Sequence, residues 1–438
     1  MSLAQTTSPR GRVPTRRSEA VAPELHTDSY RLARAFLVIM SITVIDVFNV
    51  LDRGFAAFRP GAQPGGAIRY LVLLVPLSAA LWIRLQQPSF VIRRPMPAEA
   101  VLFALFGLGL VGSLVGIAVL GTEHTSRPVF LPMSLGLLAV LVIQPPTQRE
   151  VRTMVRWLSN IGLVYIVMNA LVNIGILPFA QYQQYRNASV AFLVLGLGAA
   201  VAAGQRRRLL LEVALSVVVF ITYPSATMVL TLLVLALTLY VTTERASALR
   251  AVLLGGLIVA FAVIALSNLQ AGIRMSDRYF DLVNKANANA TRLDLWSAGV
   301  DRFEASPLVG SVFSGEVVAE RSRDGKDLPF HNDFVLFLAL GGLLGIGLFL
   351  AFLIVTEVTL IRWVHRFRRA GDQDRAGLVR AVLVGINAFF VAMAFNPVLS
   401  GASRSAVLFG LFAIAMSVGA PLQVPEVEEL SEPAAPSV

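Results

Sequence analysis

The chain has 438 residues, of which 56% are hydrophobic and only 15% charged, whereas a soluble domain carries about 25% charged residues. That balance excludes a single soluble core and, outside the chain ends, disorder. The absence of cysteine excludes disulfides, thiolate metal sites and thiol catalysis. The net charge of +10 rests on 35 arginines against two lysines, Lys285 and Lys326. In a soluble chain this would point to nucleic acid, but here the charge lies between apolar runs, where membrane topology accounts for it and no nucleic-acid partner is expected.

In chain order, residues 1–30 are polar, carry Arg10, Arg12, Arg16 and Arg17, and lack a signal-peptide cleavage site behind an apolar stretch. They read as a disordered cytoplasmic tail. Nine apolar runs follow within residues 31–267, at about 32–51, 67–85, 98–120, 128–144, 154–177, 188–204, 209–223, 226–242 and 249–267. A polar segment, 268–332, separates them from three more runs within 333–421, at about 333–361, 378–398 and 405–421. An acidic tail, 422–438, closes the chain and reads as disordered and cytoplasmic. The expected fold is therefore all-α, a polytopic membrane bundle of about twelve transmembrane helices with a large, partly helical extracytoplasmic loop between spans 9 and 10. The positive-inside rule orients it. With both termini in the cytoplasm, the five inside loops hold 17 arginines and the five short outside loops hold 6.

The long outer loop carries most of the chemistry. Arg292, Leu295, Trp296, Gly299 and Phe303 recur at helical spacing, and Pro307-Leu308-Val309-Gly310 ends that helix with turn residues. The loop is expected to pack onto the bundle. At its end stands Phe330-His331-Asn332-Asp333. A histidine beside the headgroup layer is suited to proton transfer near neutrality. The structural alternative is that Asn332 or Asp333 simply caps the next helix and His331 is incidental. Arginines on the outer face, Arg186, Arg274, Arg278, Arg292 and Arg404, offer forks for phosphate oxygens; the alternative is snorkelling or ordinary ion pairs, such as Arg292 with Asp294 or Glu304. Asp46, inside span 1, is an intramembrane acid and so a candidate proton or cation site or a hydrogen-bond partner within the bundle; Asp52 lies near the outer end of that span. The chain has no nucleotide-binding loop and no histidine cluster of metal-ligand spacing.

These pieces, in this order and spacing, resemble the O-antigen ligase and O-antigen polymerase family of bacterial envelope glycosyltransferases. Arg292-Leu293-Asp294-Leu295-Trp296 is similar to that family's Arg-x-x-x-Trp helix, Pro307-Leu308-Val309-Gly310 to its Pro-Leu-x-Gly turn, and His331-Asn332 followed by Gly342 and Gly345 to its His-Asn…Gly-x-x-Gly signature. Arg186-Asn187-Ala188-Ser189 adds a weaker match. Two places depart from the pattern: Tyr223-Pro224-Ser225-Ala226-Thr227 lacks the arginine of a Ser-Arg-Gly-like motif, and Val312 replaces a second glycine after the turn.

The resemblance implies an inverting, metal-independent and cofactor-free glycosyl transfer at the outer face of the bacterial inner membrane, for surface polysaccharide. The donor would be a glycan on a polyprenyl diphosphate. The acceptor would be a second lipid-linked glycan (polymerase) or a lipid or surface glycan (ligase), with membrane lipids and other polysaccharide-assembly proteins as neighbours. It makes His331 the base, Arg292 and Arg186 ligands of the diphosphate, and Trp296 and Asn332 the residues that hold the geometry. The competing readings are a secondary transporter or lipid-linked glycan flippase using Asp46, and a non-catalytic envelope-assembly protein that keeps the fold.

Overall fold

Long apolar runs bounded by Pro, Gly and arginine clusters form helices, since inside a bilayer only internal hydrogen bonding satisfies the backbone. The computed structural model describes residues 66–86, 95–120, 127–143, 145–146, 148–173, 176, 189–202, 204–222, 238, 294–311, 318–321, 327–330, 332–394, 398–399 and 402–419. In these, α1 is Gly66–Leu85, α2 Pro97–Leu120, α3 Arg127–Val142, α4 Gln148–Asn173, α5 Ser189–Ala202 and α6 Arg206–Thr222. Then come α7 over 294–305, strands β1 (Val318–Arg321) and β2 (Asp327–Pro329), and α8 (Asp333–Arg369), α9 (Gln373–Met393) and α10 (Ala402–Gly419). Nine of the expected apolar runs thus coincide with helices; those at 32–51, 226–242 and 249–267 lie outside the described residues, apart from helical Thr238. Among the described residues four helices, α2, α4, α8 and α9, are long and apolar enough to cross a membrane. Among the described residues the only strands are β1 and β2, an antiparallel pair within 318–329 that periodicity did not indicate.

Packing order follows side-chain size as much as hydropathy. α9 packs against α4, α5, α8 and α10, and α10 in turn against α3. α10 is buried over its whole described length from Ser405 to Gly419, so it is an interior helix. Its Phe409 ring lies where Gly136 of α3 has no side chain: a Cβ there would come within 2.5 Å of the ring. At one end of the bundle the starts of α4 and α9 are tied together, with Arg152 Nε donating to Asp374 Oδ2 at 2.7 Å and Gln148 Nε2 to Asp372 Oδ2 at 2.8 Å. Arg208 of α6 also reaches α4, donating to Asn160 Oδ1 at 2.7 Å and to Glu212 Oε1 of its own helix at 2.9 Å.

α8 departs from the straight span expected for 333–361. Gly342 lies at φ 58°, ψ −154°, and breaks the helix into halves 333–341 and 343–369. In an unbroken helix Phe334 and Phe349 would be about 22 Å apart along the axis. Their ring centroids are 5.4 Å apart, and the rings of Phe337 and Phe349 stack nearly parallel with centroids 4.2 Å apart. The halves therefore meet at about a right angle or a sharper one. The apolar pattern runs through the break without interruption, which is why periodicity alone reads a single rod. The second half is sufficient to cross a membrane by itself: the 19 residues 343–361, ahead of Arg362, extend about 28 Å against a hydrocarbon thickness of about 30 Å. Arg366, Arg368 and Arg369 in the last turn suit the negative end of the helix dipole, and Gly371 at φ 77° turns the chain into α9.

Candidate functional site

The site is assembled around the first half of α8. Asn332 caps it: the backbone is extended there (φ −156°, ψ 116°), and the side-chain Oδ1 accepts from the N–H groups of Phe334 at 2.9 Å and Val335 at 3.2 Å. That satisfies two of the donors a helix start leaves open. The capping alternative weighed for this motif is thus realised by Asn332, whose amide nitrogen remains for other work. Asp333, fully buried, does something else. Its Oδ2 accepts from the backbone N–H groups of Val398 at 2.9 Å and Leu399 at 3.1 Å, fixing the connection between α9 and α10 to the start of α8. Ser405 Oγ donates to Leu399 O at 3.0 Å in the same connection.

Helix α7 lies against this start. Its face carrying Leu295 and Gly299 is buried, while Asp294, Ser297, Asp301 and Glu304 are exposed on the other. Gly299 is needed there, because a Cβ would collide with Val335 and crowd the Phe330 ring. Arg302 stands over that ring at 5.5 Å. Trp296, on the same helix, is half-buried, and its indole N–H is buried without a hydrogen-bond partner among the described residues. An indole N–H in that condition is a donor whose hydrogen-bonding capacity the described residues leave unmet.

The turn after α7 meets the break in α8. Gly310 has φ 56°, and a Cβ on it would come within 2.5 Å of the Leu340 carbonyl carbon; a Cβ on Gly342 would come within 2.6 Å of that of Leu308. The two segments cross backbone to backbone at two glycines with positive φ. The break strips Leu343 and Leu344 of intrahelical acceptors, and the turn replaces them: Leu343 N donates to Pro307 O at 2.8 Å and Leu344 N to Leu308 O at 3.1 Å. Thus Trp296, the Pro307–Gly310 turn, Asn332 and Gly342, dispersed over the sequence, belong to one packed unit.

Of the other expected site residues, His331, Arg292 and Arg186 lie outside the described residues, as do Arg274, Arg278, Asp46, Asp52 and the Tyr223–Thr227 stretch. Sequence reasoning missed two acids. One is Asp333, taken only as a second possible cap. The other is Glu357, set among the apolar side chains of α8: Asn387 Nδ2 of α9 donates to Glu357 Oε1 at 3.1 Å and to Thr238 Oγ1 at 2.9 Å, while Glu357 Oε2 and the neighbouring Thr356 Oγ1 are buried without hydrogen-bond partners among the described residues. The signal was present as a lone acid inside the run Val355-Thr356-Glu357-Val358.

Compared with known proteins, the chain matches no family model and no curated sequence.

Proposed function

We propose that the chain is a multi-pass membrane glycosyltransferase of the O-antigen ligase and polymerase kind, working at the outer face of the bacterial inner membrane. The observation that carries this reading is the convergence just described. The described parts of the stretches on which the resemblance rests, 294–296, 307–310 and Asn332 with Gly342, pack into one corner on a helix suited to crossing the membrane, and that corner holds an indole donor without a partner among the described residues.

In this reading an acceptor hydroxyl attacks C1 of the donor sugar from the face opposite the diphosphate. The C1–O bond to the diphosphate breaks with inversion, and His331 takes the hydroxyl proton as the new glycosidic bond forms. Arg292 and Arg186 hold the diphosphate oxygens, whose charge grows as the sugar departs. Trp296 and Asn332 hold the geometry. The donor already carries a good leaving group, and outside the cell no nucleotide sugar is at hand, so the absence of a nucleotide-binding motif is consistent with the chemistry.

The test is His331→Ala at wild-type abundance, read by the length and attachment of lipid-linked and surface glycans. Loss of transfer is expected; normal product would remove His331 from the mechanism. One observation favours a second reading, a secondary transporter or flippase: the intramembrane Glu357 with its Asn387 and Thr238 partners. That reading predicts that Glu357→Gln blocks movement of a lipid-linked glycan across the bilayer while His331→Ala leaves it intact.

A further inference from the structure

The turn that fills the break in α8 also projects apolar side chains outward. Leu308 is 71% exposed, and Val309, Leu343 and Leu344 beside it are 42%, 54% and 47% exposed. This is not the exposure of a loose loop. The turn is fixed by its two hydrogen bonds to α8 and by the Gly310–Gly342 crossing, so four apolar side chains are held together away from the protein interior. Water is an unfavourable neighbour for such a patch.

Three further observations say what covers it. The patch continues down α8 through exposed Leu350, Ile354 and Val358, at spacings that keep one helix face. That face belongs to the half that suffices to cross a membrane, so the turn heads a lipid-facing stripe. Depth agrees: the 19 residues between Gly342 and Arg362 match about one hydrocarbon thickness, which sets Leu343 and Leu344 at its outer boundary. Finally, α7, which leads into the turn, exposes Asp294, Ser297, Asp301 and Glu304, groups that belong in water. Apart from Val300, the large exposed side chains of α7 are polar up to Glu304, and those of the following turn are apolar.

We propose that the 307–309 turn is inserted in the membrane, with Leu308 and Val309 among the acyl chains of the outer leaflet at the head of the α8 stripe. The proposal rests on the membrane-embedded reading of the chain but not on glycosyl transfer. The turn thereby fixes the height of the α7–α8 corner relative to the lipid headgroups.

The native chain has no cysteine, so single sites can be spin-labelled without background. Full-length Leu308→Cys, Asp301→Cys and Ile354→Cys, each carrying a nitroxide, are reconstituted in phosphatidylcholine–phosphatidylglycerol vesicles. Collisions with oxygen, which partitions into lipid, are compared with collisions with a water-soluble nickel chelate. The oxygen-to-nickel ratio at Leu308 is expected to exceed that at Asp301 several-fold and to fall below that at Ile354, which lies about 16 Å further along α8 and so deeper in the hydrocarbon. A ratio at Leu308 like that at Asp301 would overturn the proposal, because the turn would then stand in water. Shielding of Leu308 from both reagents would also overturn it, because protein, another copy included, would then cover the patch. A water-exposed Ile354 would overturn the lipid-facing stripe and the proposal with it. His331→Ala activity moves none of these readings, so failure here and failure of the proposed function are distinguishable.

Discussion

Asn332 and Asp333 are adjacent acceptors with different tasks, and substitution separates them. Removing the Asp333 side chain leaves the N–H groups of Val398 and Leu399 buried and unbonded, at a cost of about 1–3 kcal/mol for each unsatisfied group. Asp333→Ala should therefore destabilise the protein by roughly 2–6 kcal/mol, and Asp333→Asn, which keeps an acceptor oxygen, by much less. Denaturant unfolding in detergent micelles measures both; equal losses would show that the charge, not the acceptor, holds the α9–α10 connection. Asn332→Ala should cost about 1 kcal/mol through the lost cap, while Asn332→Ser preserves the cap. If Asn332 only caps, Asn332→Ser keeps full activity per folded molecule. If its amide nitrogen also touches the substrate, Asn332→Ser folds normally and transfers poorly. The motif Phe330-His331-Asn332-Asp333 was legible as the end of a loop and the start of a helix. The division of labour was not, because the partners of Asp333 lie 65 and 66 residues away.

Among the elements, the broken α8 shows where sequence patterns lose information. A continuous apolar run over 333–361 gives the existence and type of a helix. A sign change of φ at one glycine leaves that pattern untouched. Gly342 and the Pro307–Gly310 turn were both recognisable as motif residues, yet their mutual contact joins positions about 30 apart and has no periodic signature. Energetics set the two crossing glycines apart from others in the same helix. Gly342→Ala forces a side chain into a positive-φ, extended-ψ conformation that essentially only glycine adopts, at about 1–3 kcal/mol, and adds a Cβ against the Leu308 and Gly310 backbone, where overpacking costs about 1–3 kcal/mol. A total loss of roughly 2–6 kcal/mol is expected. Gly310→Ala should lose a similar amount, and the double variant less than the sum, since one clash already separates the two segments. Gly347→Ala is the control. Nothing lies within 4 Å of its added Cβ and its backbone is helical, so it should be neutral or slightly stabilising. Thermal unfolding of the four variants checks the series; a destabilised Gly347→Ala with a tolerant Gly342→Ala would remove the crossing as the source of rigidity.

For the molecule as a whole, hydropathy yields the helices but not their neighbours. Nothing in the run at 405–421 marks α10 as interior, because a lipid-facing and a protein-facing helix are equally apolar; its burial is set by fits such as Phe409 on Gly136. Arginine placement carries more. The inside loops inferred from the positive-inside rule include Arg152 and the stretch from Arg362 to Arg380, and Arg152 is bonded to Asp374 within that stretch. Two loops assigned to one side on charge alone therefore meet at one end of the bundle. Gly342 and the water-facing side of α7 belong to the other end of α8, a half-helix of 27 residues, or about 40 Å, away from Arg369. The two ends are thus separated by more than one hydrocarbon thickness of about 30 Å, and labels at each should report opposite compartments. Asp301→Cys, on the exposed face of α7, should react with a membrane-impermeant maleimide in intact cells. Gln373→Cys, exposed at the start of α9, should react only after the membrane is opened. Both sites are accessible in the folded chain, so protection reflects the membrane and not burial. Reaction at Gln373 but not at Asp301 in intact cells would invert the topology and remove the outer-face chemistry with it. Reaction at both would mean that the half-helix from Leu343 to Arg369 does not cross the bilayer at all.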